Sequence, residues 1–214
     1  MKKLIAFDLD GTLLHTLKDL SNAVNHALNY FNYPNKSLEE VRKAIGNGVR
    51  VLIQRCIPDG INNPNYQEVL RIFRECYKEH YKDNTLPYNG MLKTLLTLKD
   101  KGYKLAVITN KLDYISKDLI NYFYPNIFDY IQGDVDGLKK KPDAEMFNHV
   151  LKELNINNDE ALYVGDTNVD YDFAFNSNVD VILVTYGYRT KKEMDEYHYK
   201  VTQIQSPLEL LNYI

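Results

Sequence analysis

The chain has 214 residues, of which 44% are hydrophobic and 26% charged, with a formal net charge of −3. That balance excludes a disordered chain, and the absence of a basic stripe argues against nucleic acid as the main partner. The length suits one sizeable domain, or a core domain carrying an insertion.

Leu4-Ile5-Ala6-Phe7 is a short apolar run that predicts a buried strand. It is too short for a signal segment or a membrane span, so a cytoplasmic protein with no membrane partner is the expectation. Asp8 and Asp10 follow, then Gly11 and Thr12. Residues two apart on a strand share a side, and two such carboxylates repel unless a cation sits between them. A hard divalent ion with oxygen ligands, Mg²⁺, meets that need, and Gly11 lets the chain turn away sharply. The period then changes. Leu17, Leu20, Val24, Ala27, Leu28 and Phe31 recur at helical spacing, and Pro34-Asn35 ends that helix. Residues 38–45 predict a second helix, Gly46-Asn47-Gly48 a turn, 49–56 a third helix, 58–65 a loop and 66–81 a fourth helix. From about 15 to 86 there are helices and no strand, the mark of a separate helical unit.

After Pro87 the pattern alternates. Residues 92–101 predict a helix stopped by Gly102, 104–108 a strand ending at Thr109-Asn110, and 113–122 a helix. There follow a strand at 127–131, a helix at 144–154, a strand at 161–164 ending at Gly165-Asp166, a helix at 170–176 and a strand at 181–184. Alternation of this kind implies right-handed crossovers and a parallel sheet with helices on both faces. The expected fold class is therefore α/β: a doubly wound, Rossmann-like parallel sheet core with an inserted all-helical cap domain. The expected division is an α/β catalytic core over 1–14 and 87–214, and a helical cap over 15–86. Cys56 and Cys76 lack metal-like spacing and are expected as free thiols in a reducing compartment. His15, His26, His80, His149 and His198 do not pair at ligand spacing, which argues against zinc.

In a parallel sheet all the carboxyl ends lie on one edge, where open α/β sheets place ligands. Four segments converge there. Asp8 and Asp10 are the first. Thr109-Asn110 is the second, a hydroxyl and an amide just before a helix whose free N–H groups suit a phosphate; simple helix capping is the alternative. Lys139-Lys140-Lys141-Pro142 is the third. Pro142 is expected in the first turn of the next helix, aiming one lysine inward while the other two stay in water. The fourth is Gly165-Asp166-Thr167-Asn168-Val169-Asp170, where Asp170 lies one helical turn beyond Asp166. Arg50, one turn after Gly46 and Gly48, is a candidate contact for a substrate carboxylate through its planar fork.

These four segments, in this order, resemble the motifs of the haloacid dehalogenase-like hydrolase superfamily, and the inserted helices resemble its small cap. Gly46-Asn47-Gly48, Lys140-Lys141-Pro142-Asp143 and Val184-Thr185-Tyr186-Gly187-Tyr188-Arg189 further resemble its phosphoglycolate phosphatase branch. The resemblance implies a Mg²⁺-dependent phosphatase acting on a small phosphorylated metabolite, with 2-phosphoglycolate the leading candidate. It implies that Asp8 attacks phosphorus to form an aspartyl-phosphate and that Asp10 serves as acid and then base. Asp8, the Asp10 carbonyl and Asp166 would ligate Mg²⁺, with Asp170 holding the metal shell or ligating through water. Thr109, Asn110 and Lys141 would grip phosphoryl oxygens. A β-phosphoglucomutase-like phosphomutase or a pyrophosphatase of the same superfamily is the alternative, and the protein would act as a monomer or homodimer. A non-enzymatic phosphate-binding module is disfavoured, because it would be expected to have lost Asp8 or Asp10. Two positions depart from the family pattern. His15 stands where an acid is frequent, and Asn178 stands where glycine usually closes the helix, a place asparagine can fill in the left-handed conformation.

Overall fold

Leu4–Phe7 forms strand β1, and all four side chains are fully buried. A strand covered on both faces shows no polar alternation, which is why it reads as a continuous apolar run. The computed structural model describes residues 1–196 and 201–214, so His198 lies outside the described residues.

In chain order the elements are β1, β2 (Leu14–His15), α1 (Leu17–Tyr30), α2 (Leu38–Ala44), α3 (Val49–Cys56), α4 (Tyr66–His80), β3 (Leu86–Pro87), α5 (Met91–Asp100), β4 (Lys104–Leu112), α6 (Asp113–Phe123) and β5 (Tyr130–Asp134). They continue with α7 (Glu145–Leu154), β6 (Ala161–Gly165), α8 (Asn168–Asn176), β7 (Asp180–Val184), α9 (Lys191–Glu196) and β8 (Thr202–Ile204). The chain divides into two compact units, Met1–Leu14 with Pro87–Ile214, and His15–Leu86.

The first unit holds a six-stranded sheet in the order β5-β4-β1-β6-β7-β8. Every strand pair in it is parallel. On one face Leu4, Ala6, Ile108 and Tyr163 pack with Met146, Phe147 and Val150 of α7 and Phe173 of α8. The chain leaves β1 toward β4 and β5, then returns to the other side of β1 through β6. Neighbours β1 and β6 therefore flank the point where the winding reverses, and their carboxyl ends open a crevice there.

The second unit is four helices. Helices α1 and α4 pack together, burying Leu20, Val24, Ala27 and Leu28 with Val69, Leu70, Phe73 and Tyr77. Ser37 and Glu40 form a reciprocal capping box that opens α2. The buried Asp19 carboxylate accepts hydrogen bonds from the Asn84 backbone N–H (3.0 Å), the Asn84 amide (2.8 Å) and the Thr85 hydroxyl (2.8 Å), so the two ends of this unit are held together.

Several boundaries differ from expectation. Strand β4 runs on to Leu112, so Thr109 and Asn110 sit inside a strand and not at a helix start. Its register against β5 passes from Ile108↔Gln132 to Leu112↔Asp134, four steps on one strand against two on the other. The polar residues of this bulged stretch hide the continuation, because a strand signal relies on apolar runs. Strand β5 falls at Tyr130–Asp134 and not 127–131: Ile127 is buried ahead of the strand, and Asp129 exchanges backbone and side-chain hydrogen bonds with Leu105 at 2.8 Å each. Pro142 precedes α7 by three residues and follows Lys141 through a cis peptide bond, so it is not in the first helical turn. Helix α1 ends at Tyr30, before Pro34, with Asn32 in the left-handed region at φ 53°. Strand β8 and helix α9 carry too few residues for a periodic signal. Asn178 closes α8 with φ 53°, the conformation asparagine tolerates best after glycine. Cys56 and Cys76 are both free thiols, and burial pushes that of Cys56 up to about 11.

Candidate active site

Strand β1 ends at Phe7 and strand β6 at Gly165, so Asp8 and Asp166 emerge on either side of the topological reversal. The Asp8 backbone N–H donates to the Val164 carbonyl at 2.9 Å, which fixes the start of the first acidic loop against β6. Asp170 is the third residue of α8, and the helix brings it back over the same edge. One oxygen each from Asp8, Asp166 and Asp170 lies within 4.8 Å of the others, and all three residues are buried.

Lys141 reaches this group from the segment ahead of α7. Its Nζ donates to Asp8 Oδ1 (2.8 Å), Asp170 Oδ1 (2.8 Å) and the Tyr163 hydroxyl (3.0 Å). The Tyr163 hydroxyl in turn donates to the Ile108 carbonyl at 2.8 Å. Of the lysine run, Lys141 is buried and Lys139 exposed, while Lys140, expected in water, is half-buried and pairs with Asp134. Burial pulls the Lys141 ammonium down, but the Asp170 and Asp8 carboxylates outweigh it and hold its pKa above the ordinary lysine value.

Asp170 is fully engaged. Its second oxygen, Oδ2, accepts from the Asp166 N–H (3.1 Å), the Thr167 N–H (3.0 Å) and the Thr167 hydroxyl (2.7 Å). It thus fixes both Lys141 and the loop that carries Asp166. Asp166 accepts from the Tyr188 N–H at 2.6 Å on Oδ2 and from the Thr12 hydroxyl at 3.3 Å on Oδ1. Gly11, at φ +89°, leaves room for this approach: a Cβ there would stand 2.3 Å from Asp166 Oδ2. Gly187 does the same from the other side, where a Cβ would meet Asp166 Cβ and the Gly11 carbonyl oxygen at 2.4 Å each. Gly187→Ala is therefore expected to displace Asp166 and to cost about 1–3 kcal/mol of stability by overpacking. Urea denaturation of the variant tests this, and a midpoint equal to that of the parent would contradict it.

Burial pushes the Asp8 carboxyl up to about 6, with Asp170 adding to the rise and Lys141 opposing it. Asp166 is raised well above the carboxylate range by burial, then by the charges of Asp170 and Asp8, against the Tyr188 N–H and Arg189. Three clustered carboxylates facing one ammonium hold more negative charge than they compensate. The donors are all oxygen, so the residues present fit a hard divalent cation.

Asn110 and Thr109 lie beside Lys141. The Asn110 amide clasps the Lys141 peptide: Oδ1 accepts from the Lys141 N–H (2.9 Å) and Nδ2 donates to the Lys141 carbonyl (3.1 Å). Thr109 is buried, and its hydroxyl oxygen accepts from the Lys111 N–H at 3.3 Å. The Asp10 carboxylate is not in the three-acid group; its Oδ1 pairs with Lys111 Nζ at 2.9 Å. Arg50 belongs to the other unit, where it is exposed near the start of α3 and its carbonyl accepts from the Tyr66 hydroxyl at 3.0 Å. His15 is exposed.

The sequence gives no role to Lys111 or the Tyr163 hydroxyl, and it offers Gly187 and Tyr188 only as part of the segment that resembles the phosphoglycolate phosphatase branch. Lys111 carried a signal, a lysine directly after two polar residues at the end of an apolar run. Tyr163 reads only as part of a strand, and a backbone N–H has no sequence signature.

The chain belongs to the haloacid dehalogenase-like hydrolases, whose family model matches residues 5–184. Among its relatives, the phosphoglycolate phosphatase of Pseudomonas putida is 32% identical over 201 residues, 91% of this chain and 74% of that protein. The phosphoglycolate phosphatase of Aquifex aeolicus is 34% identical over 187 residues, 87% of this chain and 86% of that one. A crystal structure from Lactobacillus delbrueckii subsp. bulgaricus, provisionally named a phosphoglycolate phosphatase, superposes with a TM-score of 0.93 at 29% identity, covering 98% of this chain and 97% of the other. No helix among the described residues is long and apolar enough to cross a membrane.

Proposed function

We propose that this chain is a phosphatase that hydrolyses a small phosphate monoester, 2-phosphoglycolate first among the candidates, through an aspartyl-phosphate on Asp8. The observation that carries the reading is the meeting of Asp8, Asp166 and Asp170 with the Lys141 ammonium at one buried point. Family membership and the activity named for its relatives support it.

Asp8 is the nucleophile, and Lys141 orients it while offsetting its charge as it meets an anionic phosphoryl group. Bond formation from an Asp8 oxygen to phosphorus accompanies breakage of the bond to the leaving oxygen, which takes a proton from the Asp10 carboxyl. Asp10 then accepts a proton from the water that cleaves the aspartyl-phosphate. Thr109 and Lys141 bind phosphoryl oxygens, and Asn110 serves by locking the Lys141 peptide. Asp8, Asp166 and the Asp10 carbonyl would hold Mg²⁺, with Asp170 holding the metal shell or ligating through water. Bound there, Mg²⁺ supplies neutralisation of charge on the phosphoryl oxygens. The helical unit over residues 15–86 is assigned as the cap, and Arg50 as its candidate for recognising a substrate carboxylate. The protein is proposed to act as a monomer or homodimer in the cytoplasm.

The test is phosphate release from a panel of phosphate esters, with and without Mg²⁺. Release from 2-phosphoglycolate that disappears with EDTA and returns with Mg²⁺ is the expected result. No release from any ester in the presence of Mg²⁺ would refute the reading, and isomer formation from a sugar phosphate without phosphate release would favour the mutase.

A further inference from the structure

Lys111 has no place in the four motifs, yet it is one of the more deeply buried charged side chains of the sheet edge. Its side chain is 3% exposed and meets Asp10 Oδ1 at 2.9 Å. Two independent features deliver it there. Strand β4 is buried without a break from Leu105 to Lys111, and its register against β5 shifts between Ile108 and Leu112, as bulges beside functional sites commonly re-aim side chains. Gly133 of β5 then lets the backbone of 111–113 come close: a Cβ there would stand 2.8 Å from the Lys111 carbonyl oxygen and 2.4 Å from the Asp113 Cα.

Asp10 needs such support. It sits in the loop after β1, where Gly11 turns the chain at φ +89°. A carboxyl that delivers a proton must be held within hydrogen-bond reach of the leaving oxygen, and Lys111 Nζ, 2.9 Å away, fixes one of its two oxygens. The site thus carries two lysines with separate duties. Lys141 serves Asp8 and Asp170, and Lys111 serves Asp10.

We infer that Lys111 is a positioning residue for proton delivery to the leaving group, acting through Asp10 and not on the phosphoryl group. The inference rests on the proposed role of Asp10. It makes a prediction that a merely structural role would not share. An alkyl leaving group, as in 2-phosphoglycolate, needs a proton as its bond to phosphorus breaks. A p-nitrophenolate leaves without one.

The experiment compares kcat and KM on 2-phosphoglycolate and on p-nitrophenyl phosphate for the parent, Lys111→Met, Lys111→Arg and Asp10→Asn. Using one protein preparation for both esters cancels any unfolded fraction. Lys111→Met is expected to lower kcat/KM, which reads only the steps up to departure of the leaving group, at least about tenfold more on the alkyl ester than on the aryl ester, within the range general acids contribute. Lys111→Arg should recover part of that difference. Asp10→Asn should show the same leaving-group dependence, larger. If Asp10→Asn shows it and Lys111→Met lowers both esters equally, the inference is overturned and the phosphatase reading stands. If Asp10→Asn shows no such dependence, the acid role of Asp10 fails and the inference fails with it.

Discussion

Asp8→Asn is expected to lower phosphate release by about 10⁴-fold or more, the scale seen when a covalent nucleophile is removed, while the protein stays folded. The amide occupies nearly the same volume beside Lys141 and keeps an oxygen that can accept at the present 2.8 Å contact. Stability should move the other way from activity. In metal-free protein the Asp8 carboxyl sits at about 6 against an ordinary 3.8, chiefly because it is buried. A carboxyl whose folded pKa lies above its unfolded one stabilises the fold most below the unfolded value, and that contribution is lost as pH rises through the folded one. The ionised form therefore costs the metal-free fold stability at neutral pH. Asp8→Asn removes that cost, so without Mg²⁺ the variant should melt at or above the parent's temperature at pH 7.5, and the parent should gain stability between pH 6 and pH 4 relative to the variant. Mg²⁺ should raise the melting temperature of the parent far more than that of the variant, because a ligand stabilises only the state it binds. Calorimetry with and without EDTA at three pH values reads all of this. Turnover near that of the parent in Asp8→Asn would rule out the aspartyl-phosphate route.

Lys141→Met should damage stability and activity together. Its ammonium is the shared partner of Asp8 and Asp170, and all three side chains are at most 9% exposed. Removing one member of a buried ion network leaves uncompensated charge and costs about 3–5 kcal/mol. The same deletion strips the phosphoryl-binding cation, which corresponds to a loss of about 10²–10³-fold in kcat or more. Lys141→Arg should rescue little. A planar guanidinium cannot place one nitrogen at 2.8 Å, 2.8 Å and 3.0 Å from Asp8, Asp170 and Tyr163 as a point-like ammonium does. Urea titration gives the first quantity and phosphate release the second. A variant that kept both would show that Lys141 is a bystander.

Asp8 announced itself through local order alone: four apolar residues, then an acid, another acid two places on, and a glycine. Asp166 and Asp170 became legible through one topological rule, since strands joined by crossovers place their carboxyl ends on a common edge. Lys141 was visible as a candidate, but which of three adjacent lysines turns inward is set by its partners, the Asn110 clasp and the Tyr163 hydroxyl. Strand β5 lies three residues beyond the run that predicts it, because Ile127 and Asp129 serve the core and the ladder from outside a strand. Lys111 follows two polar residues after an apolar run, and its burial comes from β4 continuing between two neighbouring strands, which that run alone does not encode.

Sequence by itself determined the alternation of strands and helices, the helical insertion between the first strand and the rest, and the acids at the strand ends, because hydrophobic period and strand-end chemistry are short-range properties. Tertiary structure alone decided how those acids are held: Asp170 spent wholly on Lys141 and the Asp166 loop, Asp166 wedged between Gly11 and Gly187, and Asp10 set against Lys111. Charges and close contacts act through space, and the residues that meet here stand as many as 176 positions apart in the chain, at Gly11 and Gly187.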